Sequence, residues 1–518
     1  MSKSRKAVRS VVIIIIFTLG SKILGFIREM LIAAKFGSGF ETDTFFIALT
    51  TVSLFRVMIT KSINTTMIPV LSEIESKEGK EGKRKHANNL LNIIMLVSLL
   101  IIAISWIMSP FLIRIVASGF KGKQFDLAVL LTRIGLPAIF FASVQGVFRG
   151  YLQSEMMFTE SAAADIPFNF VYIFFLIFLT GSFGIKGLMV TSVLAVASQI
   201  LIQIPGVRSI GYKHSFTMDF EDRYVKKMLY LIPPILVSAG ISDLNKIIDR
   251  SLASTLTAGS ISALNYSNRL GGLVTGVFVS AITTVMYPMF SQEANKGTYD
   301  GLKKAIIQGV NVVLIITIPA TIGMIVLANP IVKVAFERGA FDANATYMTA
   351  GALVFYAVGL VGRAVRSVLH KVYYSVQDTK TPMVNGAIAV VVNIVLNFIL
   401  VKFMAHKGLA LATSISAIVT ALLLLYDLRK KIGSFGFTKS IICGLKSLVA
   451  SVIMGIVVYF LDINLINYMG NSVISELLAL LASAGSGLIV YSILIYLFKV
   501  EEVNWIIRSV KDRLSIKK

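Results

Sequence analysis

Apolar stretches of about 20 residues recur fourteen times along this chain, centred near Thr18, Thr51, Leu99, Pro137, Phe170, Val193, Ala239, Val274, Pro319, Tyr356, Val391, Ile415, Val452 and Ser486. A run of that length, coiled as an α-helix, matches the hydrocarbon thickness of a bilayer. Fourteen of them in 518 residues leave little chain for anything else. The sequence therefore predicts an all-α integral membrane protein of about fourteen transmembrane helices. Composition agrees, because 56% of the residues are hydrophobic and only 15% charged, which excludes an ordinary soluble domain. An even number of crossings returns both termini to one side.

The formal charge of +23 raises nucleic acid as a partner, but the distribution of the charge argues against it. Lys and Arg gather at the N-terminus (Lys3, Arg5, Lys6, Arg9), in the loop from Lys77 to Lys85, between Arg208 and Lys227, at Lys296, Lys303 and Lys304, at Arg429 to Lys431, and in the tail from Arg508 to Lys518. With fourteen alternating spans all of these fall on one side, as the positive-inside rule requires of cytoplasmic loops. Both termini are accordingly expected in the cytoplasm. The run from Val11 to Ala34 is too long for a signal-peptide core and lacks a small-residue cleavage site, so it is expected to remain as the first helix. One cysteine, Cys443, rules out a disulfide within the chain and a cysteine metal cluster, and reads as a small packing residue.

The chain contains a weak internal repeat. Met67 to Ser72 aligns with Met286 to Ser291 (286 − 67 = 219), Pro110 to Ile115 with Pro330 to Ala335 (330 − 110 = 220), and Lys186 to Leu188 with Lys407 to Leu409 (407 − 186 = 221). Each match is short, but three in series at one spacing point to duplication. Six spans per half is an even number, so both halves enter the membrane in the same direction and the repeat is parallel. The expected organisation is an N-terminal lobe over 1–207, a cytoplasmic linker over 208–227, a C-terminal lobe over 228–431, and two further helices with a basic tail over 432–518. Parallel repeats of this kind place the substrate site between lobes.

Several charges lie where lipid would penalise them by roughly 2.5 to 3.5 kcal/mol each. Lys22 and Arg28 interrupt the first apolar run, and Arg56 and Arg269 lie in later ones. Arg149, Lys246, Arg250 and Lys371 sit near span ends, where snorkelling explains them. Lys22 and Arg28 are separated by about 240° around a helix and do not share a narrow stripe. Arg28 has Glu29 or Asp43 as candidate partners. Guanidinium groups entering one interlobe space suit a phosphate-bearing substrate, since Arg is always charged and binds phosphate oxygens in pairs. Structural ion pairs to Asp43 or Asp249 are the competing explanation.

Asn393 and Asn397 are four apart and share a helical face. With Thr413 and Asp249 they form an oxygen-donor set of the kind that binds Na⁺, or they hydrogen-bond between helices. Pro137, Pro167, Pro233, Pro234 and Pro319 interrupt apolar runs and mark either bends used in movement or static kinks. Enzymatic signatures are lacking. His86, His214, His370 and His406 have no zinc spacing, and the chain contains neither a P-loop nor a nucleophile elbow.

The segments Ser21-Lys22-Ile23-Leu24-Gly25-Phe26-Ile27-Arg28-Glu29 and Thr42-Asp43-Thr44-Phe45-Phe46 resemble the opening of the MurJ (MviN) lipid II flippases of the multidrug/oligosaccharidyl-lipid/polysaccharide exporter superfamily. The resemblance continues through Phe55-Arg56, Ile68 to Glu73, Asn265 to Leu270 and Tyr374 to Pro382, and reaches about Lys431. It implies two six-helix lobes around a cationic cavity for the diphosphate and sugars of lipid II, with the last two helices lining a groove for the lipid tail. By the same resemblance the cavity residues are Lys22, Arg28, Arg56 and Arg269, with Asp43 beside them, and a Na⁺ site falls on Asp249, Asn393, Asn397 and Thr413.

The chain departs from the family pattern at Lys22, where Arg is usual, at Lys61, where many members carry Glu, at Asn268 in place of Asp, and at Asn397 in place of an acid. The implied protein is not an enzyme. It moves undecaprenyl-diphosphate-linked peptidoglycan precursor from the inner to the outer leaflet of the bacterial cytoplasmic membrane by alternating access, contacting lipid II and membrane lipids and no nucleic acid. The driving force is the membrane potential, worth about 2.3 kcal/mol per charge per 100 mV, or a Na⁺ gradient. The alternatives are a flippase for another polyprenyl-diphosphate-linked oligosaccharide and a cation-coupled drug antiporter, for which an acidic, aromatic pocket is expected instead. The sequence carries no signal for oligomeric state.

Overall fold

The computed structural model describes residues 3–296, 298–470 and 472–502. The basic run from Arg508 to Lys518 lies outside them, as do the side chains of Lys3, Arg5, Lys6, Arg9 and Pro234. Among the described residues every regular element is helical. Two compact units emerge, one of residues up to Ser262 together with Arg338–Phe341, the other of Ala263–Glu337 and the chain from Asp342 onward.

The first unit contains α1 (Lys3–Phe36), α2 (Phe40–Val116), α3 (Gly122–Gly135), α4 (Ala138–Ser154), α5 (Thr159–Ala163), α6 (Asp165–Phe178), α7 (Thr180–Ser209), α8 (Arg223–Ser254) and the first turn of α9 (Ser260–Val274). At 77 residues α2 would run about 115 Å if straight, far more than one crossing of a hydrocarbon layer about 30 Å thick. It is divided at Gly79, whose backbone is left-handed (φ 68°). The two legs then pack on one another. Ile63, Met67, Leu71 and Ile74 from the first leg and Ala87, Leu90 and Leu91 from the second share one buried cluster with Tyr151, Leu152, Val207 and Met228. Lys83, at the turn, is fully buried between Glu75 (2.7 Å) and Glu155 (2.5 Å). Gly37 and Gly339 are both left-handed, and a Cβ at Gly339 would sit 2.3 Å from the Ala34 carbonyl oxygen, so that close approach requires glycine.

The second unit continues α9 and adds a π-helical turn (Thr275–Val279), α10 (Ser280–Ala294), α11 (Asp300–Val326), α12 (Ala328–Phe336), α13 (Ala343–Val358), α14 (Leu360–Ser375), α15 (Lys380–Ile432), α16 (Thr438–Met469) and α17 (Val473–Leu497). Met286, Phe290, Val310, Leu369, Tyr373 and Leu424 form its main core across α10, α11, α14 and α15. The last two helices pack on α11, where the Tyr491 hydroxyl donates to the Ile315 carbonyl at 2.8 Å. Small residues permit the approach, since a Cβ on Gly455 would lie 2.8 Å from Ile322 and one on Gly487 2.6 Å from Val458. Cys443 is buried in this cluster as a packing residue.

Nine helices among the described residues are long and apolar enough to span a membrane, or ten if the pair Ala343–Val358 and Leu360–Ser375, bent by 44°, is one crossing. Two of the nine, α2 and α15, merge what the hydropathy pattern reads as separate spans, and each holds a non-helical residue at the division. The 32-residue α8 stands outside the nine and carries Arg223, Lys226, Lys227, Asp243, Lys246, Asp249 and Arg250. Pro137 occupies the break between α3 and α4, whereas Pro319 lies inside the continuous α11.

The internal repeat is written in the backbone more plainly than in the side chains. Left-handed residues recur in pairs at one spacing: Gly37 and Gly259 (259 − 37 = 222), Met156 and Gln377 (377 − 156 = 221), Gly184 and Ala405 (405 − 184 = 221), and Gly211 and Gly433 (433 − 211 = 222). Such conformations cost energy for any residue with a Cβ. Their return at Met156, Gln377 and Ala405 shows the second half bending where the first does.

Between α7 and α8 the chain runs as an extended strap against α2. Asn88 donates to the Lys213 carbonyl (2.9 Å), Asn92 to those of Ser215 (3.0 Å) and Thr217 (2.9 Å), and Asn89 to that of Asp219 (2.8 Å). The accepting carbonyls alternate along the strap, as an extended strand requires, and the three asparagines lie at i, i+1 and i+4 on one helical face. At its end Asp222 meets His86 (2.6 Å) and Asn89 (3.0 Å) and caps α8 through the Tyr224 N–H. Burial opposes the charge on Asp222, but these donors outweigh it and hold the carboxyl below the usual aspartate range. A group lowered in this way contributes stability that is complete above the ordinary value near about 3.9 and is lost as pH falls through its lower folded value. Hydrogen exchange at the strap amides, corrected for intrinsic rate, is expected to stay flat from neutrality to about pH 4 and to accelerate below it. Protection unchanged to about pH 2 would contradict this.

Candidate functional site

In the first unit Arg28 of α1 and Arg56 of α2 lie beside the polar face of α6. Arg28 projects from an otherwise apolar stretch of α1, and its guanidinium is held on three sides. Nη1 donates to the Asn169 side-chain oxygen at 3.0 Å, Nη2 donates to Glu29 at 2.8 Å, and the plane lies 5.4 Å from the Phe168 ring and 5.1 Å from that of Tyr172. Adjacent helical residues do not normally face each other. Here the sideways reach of Arg28 to Glu29 is fixed because Asn169 anchors the other nitrogen. Asn169 is itself tied to the Asp165 carbonyl (2.8 Å) and the Ser21 carbonyl (3.3 Å), and Tyr172 donates to Ser192 at 2.7 Å.

The Arg28 and Glu29 side chains are only 14% and 5% exposed, so this pair is largely desolvated. Both charges are then worth far more to a neighbour than they would be in water. Arg56 on α2 shares this neighbourhood, within electrostatic reach of Arg28, Tyr172 and Asp165. Gln199 engages Asp165 at 2.9 Å. Lys22, one and two-thirds turns before Arg28, is half-buried. Lys22, Arg28 and Arg56 outnumber Glu29 and Asp165 here, and of the three cations Arg28 has its guanidinium rigidly mounted.

Asp43 has a different environment from the one its sequence neighbourhood suggests. It is buried, and its Oδ2 accepts from the Gly259 N–H (2.7 Å) while Oδ1 accepts from the N–H (2.7 Å) and hydroxyl (2.5 Å) of Ser262. The carboxylate therefore caps the N-terminus of α9, where unsatisfied N–H groups and the helix dipole both favour an anion. The ion-pair partner of Arg28 is Glu29. Replacing Asp43 by Ala takes the acceptor from three buried donors, and the expected loss of stability is about 2–5 kcal/mol. Chemical unfolding of the purified protein in detergent checks this, and Asp43→Asn, which keeps one acceptor oxygen, should lose less.

In the second unit Arg269 lies on the exposed face of α9, two residues after the fully buried Tyr266 and Ser267 pair. Arg363 of α14 donates to the Tyr356 carbonyl at 2.9 Å and lies close enough to Gly271 that a Cβ there would be 3.6 Å from its Nη2. A π-helical turn follows directly at Thr275–Val279, a local widening frequent at functional sites. Asn393 and Asn397 share a buried face of α15 as their spacing predicts, Asn397 donating to Asn393 at 2.9 Å, while Thr413 donates to the Leu409 carbonyl at 3.0 Å. Asp249 belongs to the first unit, with Asn245 3.4 Å away.

The groups that hold Arg28, namely Asn169, Phe168 and Tyr172, escape a search for charge, as does Arg363 behind Gly271. The available signal was a lone amide in an apolar run, flanked by aromatics at i−1 and i+3. Among the described residues no cluster of three or more His, Cys, Asp or Glu side chains is placed to hold a metal ion.

Comparison with known proteins identifies what these features belong to. The family model described as "Lipid II flippase MurJ" matches residues 32–480. The chain belongs to the MurJ lipid II flippase family. Among MurJ relatives, the probable lipid II flippase MurJ of Vibrio cholerae serotype O1 is 30% identical over 433 residues, covering 81% of this chain and 82% of the relative. The lipid II flippase MurJ of Burkholderia cenocepacia is 27% identical over 427 residues, covering 80% and 82%. Among solved structures, the inward closed conformation of lipid II flippase MurJ matches with a TM-score of 0.79 at 26% identity, over 95% of this chain and all of that one. An inward-facing multidrug resistance MATE transporter of the MOP superfamily shares the fold alone, with a TM-score of 0.69 at 15% identity over 81% of this chain.

Proposed function

We propose that this chain translocates lipid II, the undecaprenyl-diphosphate-linked peptidoglycan precursor, from the inner to the outer leaflet of the bacterial cytoplasmic membrane by alternating access. The family match over residues 32–480 carries the reading. In it Lys22, Arg28, Arg56 and Arg269 receive the diphosphate, whose oxygens suit the paired donors of Arg. The desolvated mount of Arg28 supports this role, because a guanidinium already fixed by Asn169 and Glu29 loses little freedom on binding. Asp43 acts beside them as the cap that positions the start of α9.

In the same reading the two halves over 1–207 and 228–431 are six-helix lobes of a parallel duplication joined by 208–227, with 432–518 as an addition, and both termini lie in the cytoplasm. Asp249, Asn393, Asn397 and Thr413 would hold Na⁺ as a coupling ion. Their donors are all oxygen, which suits a hard cation, and a carboxylate among neutral amides and a hydroxyl supplies one compensating charge. The amide face of Asn393 and Asn397 is buried and polar within α15, which supports the assignment.

Depletion of this protein followed by leaflet-specific labelling tests the function. Outward-exposed lipid II is expected to fall while total lipid II accumulates. Unchanged outward exposure would overturn the reading, and accumulation of a different lipid-linked glycan would transfer it to another polyprenyl-diphosphate cargo.

A further inference from the structure

The two legs of α15 diverge at their outer ends to leave a cleft of about 400 Å³. Lys380, Thr381 and Val384 line it from the first leg, Lys430 and Lys431 from the second, and the Asn385 amide donates to Asp427 at 2.8 Å across its inner wall. Most of its polar groups are already engaged. Lys431 is paired with Asp378 at 2.7 Å, and Thr381 also donates to Asp378, at 2.8 Å. Lys380 has no ion pair among the described residues, and Lys430 only rests over the Tyr426 ring, 4.4 Å from its centre. Two lysines without a carboxylate partner among the described residues thus line one open cleft.

On the same two legs, Val384, Ile388, Val391 and Val395 are exposed on the first and Leu422 and Tyr426 on the second. Their spacing of four, three and four puts the first set on one helical face. An exposed apolar stripe on a spanning helix, beside two ammonium groups without a carboxylate partner, has the charge and polarity profile of a single lipid molecule standing on end. We propose that this cleft is a binding site for an anionic glycerophospholipid, whose phosphodiester lies between Lys380 and Lys430 and whose acyl chains lie along the Val384 to Val395 stripe. The lipid is a bound partner distinct from the transported cargo, and the site does not depend on what that cargo is. The preference for an anionic headgroup follows from local charge, since the cleft holds three lysines against Asp427 and the adjacent Asp378.

The test uses the full chain in nanodiscs of phosphatidylcholine alone or with phosphatidylglycerol, and reads lipid retention by native mass spectrometry after release into detergent. Phosphatidylglycerol is expected to be retained at least about fivefold over phosphatidylcholine, and the double variant Lys380→Gln/Lys430→Gln is expected to abolish that preference with unchanged thermal stability. A control of equal charge, Lys121→Gln/Lys123→Gln at exposed positions in the first unit, should keep it. Equal retention by wild type and the Lys380/Lys430 variant, or equal loss in the control, would overturn the proposal. Displacement of phosphatidylglycerol by millimolar glycerol phosphate would also overturn it, by showing a site for soluble phosphates rather than for a membrane lipid.

Discussion

Replacing Arg28 by Ala is expected to lower outward lipid II transport by roughly 10- to 150-fold, the factor that corresponds to losing one charge-assisted hydrogen-bonding group at about 1.5–3 kcal/mol. The guanidinium is mounted between Phe168 and Tyr172 with both terminal nitrogens engaged, so its position is fixed before any phosphate arrives. Removing it also takes an ion-pair partner from the Glu29 carboxylate, which is buried. A loss of transport from Arg28→Ala alone therefore mixes a lost contact with a destabilised helix. The double variant Arg28→Ala/Glu29→Gln separates the two, because it removes the opposing buried charge together with its partner and should regain part of the stability without restoring transport. Arg28→Lys should fall between, keeping the charge and losing the planar fork. Arg269→Ala, at an exposed position, is expected to lower transport in the same direction. Full outward labelling of lipid II by Arg28→Ala and Arg269→Ala at normal protein levels would remove both from the substrate site.

A large effect on stability is expected at Lys83, a residue outside the candidate site. Its ammonium is fully buried at the turn of the α2 hairpin, bonded to Glu75 and Glu155 and 5.5 Å from the centre of the Tyr151 ring. Breaking such an arrangement by removing one member typically costs about 3–5 kcal/mol, because the remaining charges lose their compensation. Glu75 and Glu155 keep 34% and 20% of their side-chain surface in solvent, which places Lys83→Met toward the lower end of that range. The triple variant Lys83→Met/Glu75→Gln/Glu155→Gln should recover most of the loss, since a neutral, well-packed replacement of a buried ion group is often tolerated. Unfolding of the purified protein in detergent measures both. A Lys83→Met protein as stable as the wild type would mean that the triad contributes nothing.

How much of this was legible in the sequence depends on which physical signal each feature leaves. Helices in lipid must be long and apolar, so the all-helical class and the broad positions of the spans follow from hydropathy alone. The shared face of Asn393 and Asn397 follows from helical periodicity, and Arg28 announces itself as a charge out of place. What holds Arg28 leaves no comparable mark. Asn169 and Tyr172 are ordinary polar residues in a span, and only packing of α6 beside α1 brings them to Arg28. Asp43 is the opposite case. Its motif context pointed toward the cations, but a buried carboxylate goes to the strongest available donors, and the open N-terminus of α9 supplied three of them. The repeat was faint in sequence because side chains diverge freely on lipid-facing surfaces, whereas backbone bends cannot move without displacing whole helices.

The strap between α7 and α8 carries a consequence for how this molecule is held together. Its backbone is clasped by side chains of α2 rather than stretched between its own ends, and most of its side chains point into solvent. Both helices that it joins are separately seated in one core, through Val207 on α7 and Val225 and Met228 on α8. Peptide continuity at this place is thus mechanically redundant. The strap is a seam, where the chain tolerates being opened because the cloth on either side is already sewn to a third layer.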